Sequence, residues 1–448
     1  MCMMRRICVL FVALLTLTGC GFAGAGGGGG KGESITVAVV SNPQMQDMQE
    51  LIGRFHEEHP GIDVRFVSLP ENESRQKTAE SVSTGSGEFD VVMISNYETP
   101  IWARNGWLRN LGPDIARTPG YDQQDFVPTV RKALSYQGNM YSVPFYGESS
   151  FLMYRKDLFA KKGLVMPPNP SWQQVAALAA KLNDPGSDTA GICLRGLPGW
   201  GELMAPLSTV INTFGGRWFD PKWRAQLESP QVREAVRFYV DLLRKYGEPG
   251  AAAAGFTQCL NNFAAGNSAM WYDSTSAVST LEDPKSSKVA GKVGYVAAPV
   301  QRHPGTGWLY SWSLGIPKTS EHADAAWKFV SWATSKHYIG EVGKTLGWSR
   351  VPPASRLSTY ERPGYRKLAG AFAKPTLDAI NSPTIEHPTA KPVPYTGGQF
   401  VDIPEFIDLG TRVSQQLSAA IAGQKSVDDA LAQSQEYAAT VGASYGGR

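Results

Sequence analysis

Early in the chain, short apolar runs alternate with amphipathic segments. Residues 35–40 (ITVAVV), 63–69 and 90–94 (DVVMI) have the length and character of buried strands. Helical patterns occupy the intervals 45–55 and 71–84. The order strand, helix, strand, helix, strand predicts a parallel β-sheet with helices on its faces. Ligands of such sheets bind beyond the carboxyl ends of the strands, so we expect a binding site there.

The composition is that of a globular chain without a strong charge. Of its 448 residues, 42% are hydrophobic and 19% are charged, and the formal net charge is +3. This length predicts two or three folding units, and the near-neutral balance predicts no nucleic-acid partner. The 12 Trp and 17 Tyr are numerous, and several lie in polar segments, which indicates an aromatic-lined ligand surface.

The cysteine and histidine patterns predict no metal site. Three of the five Cys lie near the start, so the body of the chain keeps only Cys193 and Cys259. These two can form a disulfide or remain separate buried thiols, and the sequence leaves both possibilities open. The run FHEEH at 55–59 pairs two of the six His, but its pattern is typical of the solvated face of an amphipathic helix. We therefore expect neither a metal nor a cofactor.

The N-terminus has the pattern of an export signal. Two arginines precede an apolar run at 7–18, which is shorter than the ~20 residues that a membrane-spanning helix needs. We expect residues 1–19 to be a cleaved signal peptide. The sequence LTGC that ends at Cys20 resembles the lipobox of bacterial lipoproteins, which predicts acylation of Cys20 and a membrane anchor on the extracytoplasmic face. Residues 20–33 are rich in glycine and are predicted to be a flexible linker.

Amide, carboxylate and aromatic side chains follow two of the predicted strands. Asn42 and Gln44 come after the first strand, where turn formation is an equally good explanation for them. Asn96, Tyr97 and Glu98 come after the third strand, and turn formation does not account for the ring and the carboxylate together. Both loops are therefore candidates for ligand binding.

Two later segments repeat this combination. The stretch VPFYGESSF places Tyr146 and Glu148 beside Gly147, which we expect to supply backbone freedom, and NSAMWYD ends in Trp271 and Asp273. A bulged core strand and a helix cap are the alternative explanations for the two carboxylates. Carboxylates accept hydrogen bonds from pairs of hydroxyls and aromatic rings cover C–H surface, so the pattern suits a sugar or a polyol.

Several motifs together resemble one family. The lipobox, ITVAVV, FDVVMI, YSVPFYGESSFLMYRKDLF, GNSAMW and the terminal SVDDALAQSQ occur in the order found in family 1 extracellular solute-binding proteins of carbohydrate ABC transporters. The resemblance covers essentially all of the chain after the leader. The segments SNYETPIWARNGWL, PFYGESSF and W-x-Y-x-W are more specifically similar to members that bind sorbitol and mannitol.

The resemblance implies an α/β, periplasmic-binding-protein-like fold of the type II kind. Each of two lobes would hold a mainly parallel sheet flanked by helices, and the ligand cleft would lie at the hinge between them. The expected lobes are 34–143 with 297–334 and 147–293 with 337–448, and the expected crossings lie near 143–147, 293–297 and 334–337.

The resemblance also implies a function. The chain would bind a polyol or a small sugar as a monomer and deliver it to the permease subunits of an ABC importer, without catalysis. A disaccharide ligand, a signalling receptor, and a secreted glycoside-active enzyme that uses two of Glu98, Glu148 and Asp273 are the alternatives. The ligand residues implied by motif are Asn96, Tyr97, Glu98, Tyr146, Glu148, Trp271 and Asp273, and those implied by segment character are Trp308, Trp312 and Arg350.

Overall fold

The computed structural model describes residues 32–304, 307–370, 372–381 and 387–446. The predicted signal peptide, the predicted acylation site Cys20 and the linker up to residue 31 lie outside these residues. Within the described part of the chain, no helix combines the length and the apolar character that crossing a bilayer requires.

The described residues form ten strands in three sheets. The strands are β1 (Glu33–Val40), β2 (Ile62–Leu69), β3 (Val91–Ser95), β4 (Ser135–Tyr136), β5 (Asn139–Met140), β6 (Ser142–Glu148), β7 (Ser150–Arg155), β8 (Met270–Ser274), β9 (Val293–Ala297) and β10 (Tyr310–Gly315).

Helices surround the sheets. The α-helices are α1 (Pro43–Glu50), α2 (Ile52–Glu58), α3 (Glu71–Thr84), α4 (Glu98–Arg104), α5 (Gly112–Ala116), α6 (Pro128–Ala133), α7 (Lys156–Lys161), α8 (Trp172–Leu182), α9 (Met204–Thr213), α10 (Pro230–Tyr246), α11 (Phe256–Ala265), α12 (Val278–Leu281), α13 (Ala323–Ala333), α14 (Lys336–Thr345), α15 (Pro363–Ala369), α16 (Ala373–Asn381), α17 (Phe406–Ile421) and α18 (Val427–Tyr445). Short 3-10 turns cover Gln123–Asp125, Pro185–Ser187, Ala251–Ala253, Thr275–Ala277, Trp348–Arg350 and Leu357–Glu361.

The first sheet is mainly parallel, as the sequence pattern predicts. Its strand order is β2-β1-β3-β10-β6. Strands β1, β2 and β3 run parallel, and β10 is antiparallel to both of its neighbours, so β6 points the same way as β1. Apolar residues explain the interior position of β1, between β2 and β3, because Ile35, Val37 and Val39 are completely buried. The carboxyl ends of four strands therefore meet along one edge.

The second sheet differs from the mainly parallel arrangement that we expected. It has the order β8-β7-β9, and both neighbours of the central strand β7 are antiparallel to it. The segment 191–195, which lies beside β8, forms no strand and makes one isolated parallel bridge, between Cys193 and Trp271. Consecutive parallel strands need a crossover segment, usually a helix, and β7 follows β6 without one. Strand β7 therefore pairs with β8 and β9, which come from distant parts of the chain and run antiparallel to it.

The chain passes from one sheet to the other at Ser149. Strand β6 ends at Glu148 and β7 begins at Ser150, so one residue separates strands of different sheets. Ser149 is buried, its Oγ donates to the carbonyl of Trp308 at 2.6 Å, and its N–H donates to Oγ1 of Thr275 at 3.1 Å. The return passage lies between β9 and β10. The predicted lobe boundaries and hinge crossings stay predictions.

Cys193 and Cys259 form a disulfide, which settles the alternative that the sequence left open. The bond joins the segment beside β8 to helix α11 across 66 residues of chain. A cross-link of this kind typically stabilises a protein by about 2–4 kcal/mol, mainly by restricting the unfolded chain.

Gly147 is needed for close approach rather than for backbone freedom. Its φ does not lie in the left-handed region, but a Cβ on it would stand 2.8 Å from the carbonyl oxygen of Ala354 and 3.3 Å from Cγ2 of Val130. The carbonyl oxygen of Pro353 accepts a hydrogen bond from the N–H of Gly147 at 2.9 Å, which keeps the segment 353–354 close to β6.

Replacing Gly147 with Ala should therefore lower the free energy of unfolding by about 1–3 kcal/mol, as overpacking does. Denaturant titration measures the change. Gly53→Ala is the matched control, because nothing lies within 4 Å of a Cβ at that exposed helical position. We expect it to leave stability equal or slightly higher. Equal stabilities of the two variants would show that the approach at Gly147 can relax.

Candidate functional site

A cavity of about 270 Å³ lies where the carboxyl-end edge of the first sheet faces the second sheet. The strand ends β1 and β6 and the start of β10 contribute to one wall, and the end of β8 with the starts of α9 and α11 contributes to the other. Charged and polar residues that line it are Ser41, Asn42, Glu71, Asn72, Glu73, Arg75, Glu148, Arg195, Glu202, Thr257, Gln258, Ser274, Ser276 and Gln399; aromatic ones are Tyr146, Phe256, Trp308, Tyr310, Trp312 and Phe400.

Arg75 carries the positive charge of the first wall. It lies in the first turns of α3, directly after the carboxyl end of β2. Its guanidinium donates to Oε1 of Glu98 at 2.6 Å and to Oε1 of Glu71 at 3.0 and 2.9 Å. The rings of Trp200 and Trp312 flank it, with centroids 4.2 and 4.6 Å from Cζ. These contacts hold the buried guanidinium in one orientation at the cavity.

Arg195 is its counterpart on the second wall. Cys193 pairs in parallel with Trp271, so two residues further along both segments Arg195 comes level with Asp273. The guanidinium donates to both carboxylate oxygens of Asp273, at 2.9 and 2.6 Å, and reaches Oε2 of Glu202 at 3.4 Å. Asp273 is completely buried and is not part of the cavity surface. It therefore orients Arg195 rather than presenting its own oxygens to the cavity.

Glu148 presents a carboxylate that is held by hydroxyl groups. Its Oε2 accepts hydrogen bonds from Ser274 at 2.6 Å and from Ser276 at 2.8 Å. Burial raises the pKa of Glu148 to about 7, although the two serine hydrogen bonds act in the opposite direction. Burial also raises the pKa of Glu202, with a further contribution from the charge of Glu71. The Glu148 carboxyl thus changes protonation near neutral pH.

The remaining walls are aromatic or neutral polar. Tyr146 accepts from Nδ2 of Asn42 at 3.1 Å, and Oδ1 of Asn42 caps α1 by accepting from the N–H of Met45 at 3.0 Å. The indole N–H of Trp308 is buried and has no hydrogen-bond partner among the described residues, so it is a candidate donor to a ligand.

Five of the residues singled out from the sequence line this cavity. They are Asn42, Tyr146, Glu148, Trp308 and Trp312. Asn42, Tyr146 and Glu148 lie at or next to the carboxyl ends of β1 and β6, as the rule for parallel sheets predicts. Trp308 and Trp312 reach the same edge from the amino end of the antiparallel strand β10.

Two predicted carboxylate ligands lie behind the cavity instead. Glu98 accepts from Arg75 and from the N–H of Ser95 at 2.9 Å, and Asp273 is bonded to Arg195. Each therefore positions a guanidinium that does line the cavity.

The other predicted residues make structural contacts outside the cavity surface. Trp271 donates from Nε1 to Asp273 at 3.2 Å. Tyr97 donates to the carbonyl of Ile403 at 2.6 Å, and Oδ1 of Asn96 accepts from the N–H of Ser311 at 2.8 Å.

Gln44 and Arg350 connect elements beside the cavity. Nε2 of Gln44 donates to Oγ of Ser279 at 2.9 Å, which ties α1 to α12. Arg350 forms ion pairs with Asp47 and, at 3.7 Å, with Glu50.

The sequence interpretation missed both arginines and their partners Glu71 and Glu202. Glu71 and Arg75 were overlooked because α3 has the composition of a polar surface helix. A signal was present, since this helix begins directly after the carboxyl end of a parallel strand and the two residues are spaced i, i+4. For Arg195 and Glu202 the sequence offered no signal, because their elements join the site only through tertiary packing.

Replacing Asp273 with Ala should destabilise the protein by about 3–5 kcal/mol, because it leaves the buried Arg195 charge without its bidentate partner. Denaturant titration measures this change. Asp408→Ala is the matched control: it removes an ion pair with Arg412 whose side chains are 53% and 72% exposed, so the expected change is below about 1 kcal/mol. A loss at Asp273 no larger than at Asp408 would contradict this account.

Replacing Glu148 with Gln should make stability less dependent on pH. The folded-state pKa is raised from 4.5 to about 7, so the wild type loses stability relative to the variant as pH rises through this window. The difference in unfolding free energy between the variant and the wild type should be small near pH 4.5 and approach roughly 3 kcal/mol above neutral pH. Denaturant titrations at about pH 5 and about pH 8 measure this difference. Glu321→Gln, at an exposed position, should follow the wild type. A difference that does not change with pH would contradict the raised pKa.

Comparisons with known proteins agree with this architecture. A family profile described as bacterial extracellular solute-binding protein matches residues 41–338. The mannitol-binding protein of Pseudomonas aeruginosa is 44% identical over 405 residues, which cover 90% of this chain and 92% of that protein.

Solved structures are similar as well. An ABC transporter solute-binding protein from Agrobacterium vitis with bound D-mannitol matches with a TM-score of 0.88 and 47% identity, covering 91% of this chain and 97% of the other. One from Agrobacterium radiobacter in complex with ribitol has a TM-score of 0.79 at 24% identity, covering 92% and 99%, and supports the fold alone. The predicted two-lobe α/β fold and the predicted family are thus confirmed. The chain belongs to the bacterial extracellular solute-binding proteins.

Proposed function

We propose that this protein captures a hexitol such as mannitol in the cavity between its sheets and delivers it to the permease of an ABC importer. The observation that carries the proposal is that one cavity receives charged hydrogen-bonding groups and aromatic rings from both of its walls. The mannitol-binding relative at 44% identity and the mannitol complex at 47% identity support the choice of ligand.

The chemistry of the walls suits a polyol. Each hydroxyl of a polyol donates and accepts, so it needs carboxylates as acceptors and guanidinium or amide groups as donors. Glu148, Arg75 and Arg195 supply both kinds at the cavity, and Trp308 and Trp312 supply ring surface for the C–H groups. Two or three hydrogen bonds to charged groups, at about 1.5–3 kcal/mol each, together with ring contacts are sufficient for micromolar binding at about 8 kcal/mol.

Closure of the two lobes around the ligand would signal to the permease that ligand is bound. A ligand that contacts both walls favours the conformation in which the walls are close. Hydrogen bonds between the expected lobes are present beside the cavity. Nδ2 of Asn72 donates to the carbonyl of Pro198 at 3.0 Å, and Nε2 of Gln44 donates to Oγ of Ser279. Since the cavity is built from a single chain, we propose that the protein acts as a monomer.

The location forms part of the same proposal. The signal sequence pattern at 1–19 and the lipobox cysteine Cys20 support export and acylation, which would hold the protein on the extracytoplasmic face of the membrane near its permease. Membership in an extracellular binding family is consistent with this location.

A binding role is favoured over glycoside hydrolysis. The candidate catalytic carboxylates are Glu98, Glu148 and Asp273. Of these, Glu98 and Asp273 are hydrogen-bonded to arginines behind the cavity surface. Glu148 alone among these three lines the cavity, so the pair of catalytic carboxylates considered from the sequence is not assembled there.

Calorimetry with D-mannitol tests the proposal. We expect micromolar or tighter binding to the wild type and at least tenfold weaker binding to Glu148→Ala, a loss of about 1.4 kcal/mol or more. Glu321→Gln, outside the cavity, should bind like the wild type. A thermal-shift panel of D-mannitol, D-sorbitol and maltose checks the ligand class. Stabilisation by maltose without stabilisation by either hexitol would overturn the choice of a polyol.

A further inference from the structure

Both arginines of the cavity are already neutralised by carboxylates. Arg75 is bonded to Glu71 at 2.9 Å and to Glu98 at 2.6 Å. Arg195 is bonded to Asp273 at 2.6 Å and to Glu202 at 3.4 Å. Each guanidinium thus has two carboxylate partners, one that lines the cavity and one that lies behind it.

The surroundings of the cavity therefore carry an excess of negative charge. Arg75 and Arg195 are the cationic side chains among its lining residues, and the four glutamates 71, 73, 148 and 202 face them. Glu98 and Asp273 add two further carboxylates in direct contact with the arginines. No guanidinium remains to balance an anionic ligand.

Glu148 is the buried lining carboxylate without a cationic partner. Its side-chain hydrogen bonds come from the hydroxyl groups of Ser274 and Ser276, and it forms no ion pair with any described residue. Glu71 and Glu202, in contrast, are each paired with an arginine. A cation that enters the cavity would find its best partner at Glu148.

We propose that this cavity selects polyols by charge. It excludes polyols that end in a carboxylate or a phosphate, and it accepts polyols in which a protonated amine replaces a terminal hydroxyl, with the ammonium group bonded to Glu148. The part that concerns polyols rests on the proposed function, whereas the charge selection rests on the arrangement of the ion pairs.

The physical reason is the weak screening of charges in a buried site. An ammonium group donates short, charge-assisted hydrogen bonds to a carboxylate, and these are about twice as strong as neutral ones. A ligand carboxylate in the same place would meet Glu148 and Glu202 instead, and like charges at close range repel strongly where water is excluded. The interaction of a neutral terminal hydroxyl with these carboxylates would be intermediate in strength.

Calorimetry at about pH 7.5 with three ligands tests the proposal, with D-mannitol, D-mannonate and 1-amino-1-deoxy-D-mannitol as probes. For the wild type we expect D-mannonate to bind at least 100-fold more weakly than D-mannitol. The amino polyol should bind at least as tightly as D-mannitol. In Glu148→Gln, which removes the charge and keeps the shape, the affinity ratio of amino polyol to D-mannitol should fall at least tenfold, while Glu321→Gln should keep the wild-type ratio.

The outcomes separate this inference from the proposed function. If D-mannitol binds and D-mannonate binds equally well, or if the ratio is the same in Glu148→Gln and the wild type, the charge selection is wrong and the polyol function stands. If none of the three ligands binds, both fail. Circular dichroism establishes whether Glu148→Gln is folded; if it is not, the wild-type series decides, and an amino polyol that binds more than tenfold more weakly than D-mannitol overturns the inference.

Discussion

The buried ion pair between Asp273 and Arg195 is the interaction on which the second wall of the cavity depends. A guanidinium can be buried only when its charge is paired and its donors are satisfied, and Asp273 meets both needs with two hydrogen bonds. The carbonyl of Gly201 accepts a further bond at 3.0 Å. Because Asp273 and Gly201 are themselves buried, the guanidinium is held in place before any ligand arrives, which lowers the entropy lost on binding.

The disulfide supports this same wall. Cys193 lies two residues before Arg195, and Cys259 lies in the first turn of α11, whose Phe256 packs over the guanidinium at 5.2 Å. The bond therefore joins the two segments whose relative position sets this side of the cavity. Together with the passage at Ser149, it explains how elements far apart in the chain present their side chains to one site.

The outcome for the predicted carboxylates shows how far residue patterns reach. Glu148, Glu98 and Asp273 all stand near strand ends, and all three were expected to bind ligand. One lines the cavity and two hold arginines behind it, so the pattern indicated the edge of the sheet at which the cavity lies but not which side chains reach the cavity surface. The difference depends on which way each side chain points and on whether a cation is close, and both depend on neighbours distant in sequence.

The sequence by itself determined the family, the parallel core of the first sheet and the edge at which ligand groups gather. These follow from local information, namely apolar periodicity, strand ends and motif order. Only the tertiary structure decided the antiparallel second sheet, the disulfide and the two arginines that line the cavity. The reason is physical: a pairing such as Arg195 with Asp273 joins positions 78 residues apart, and no local pattern carries the direction of a side chain across such a distance.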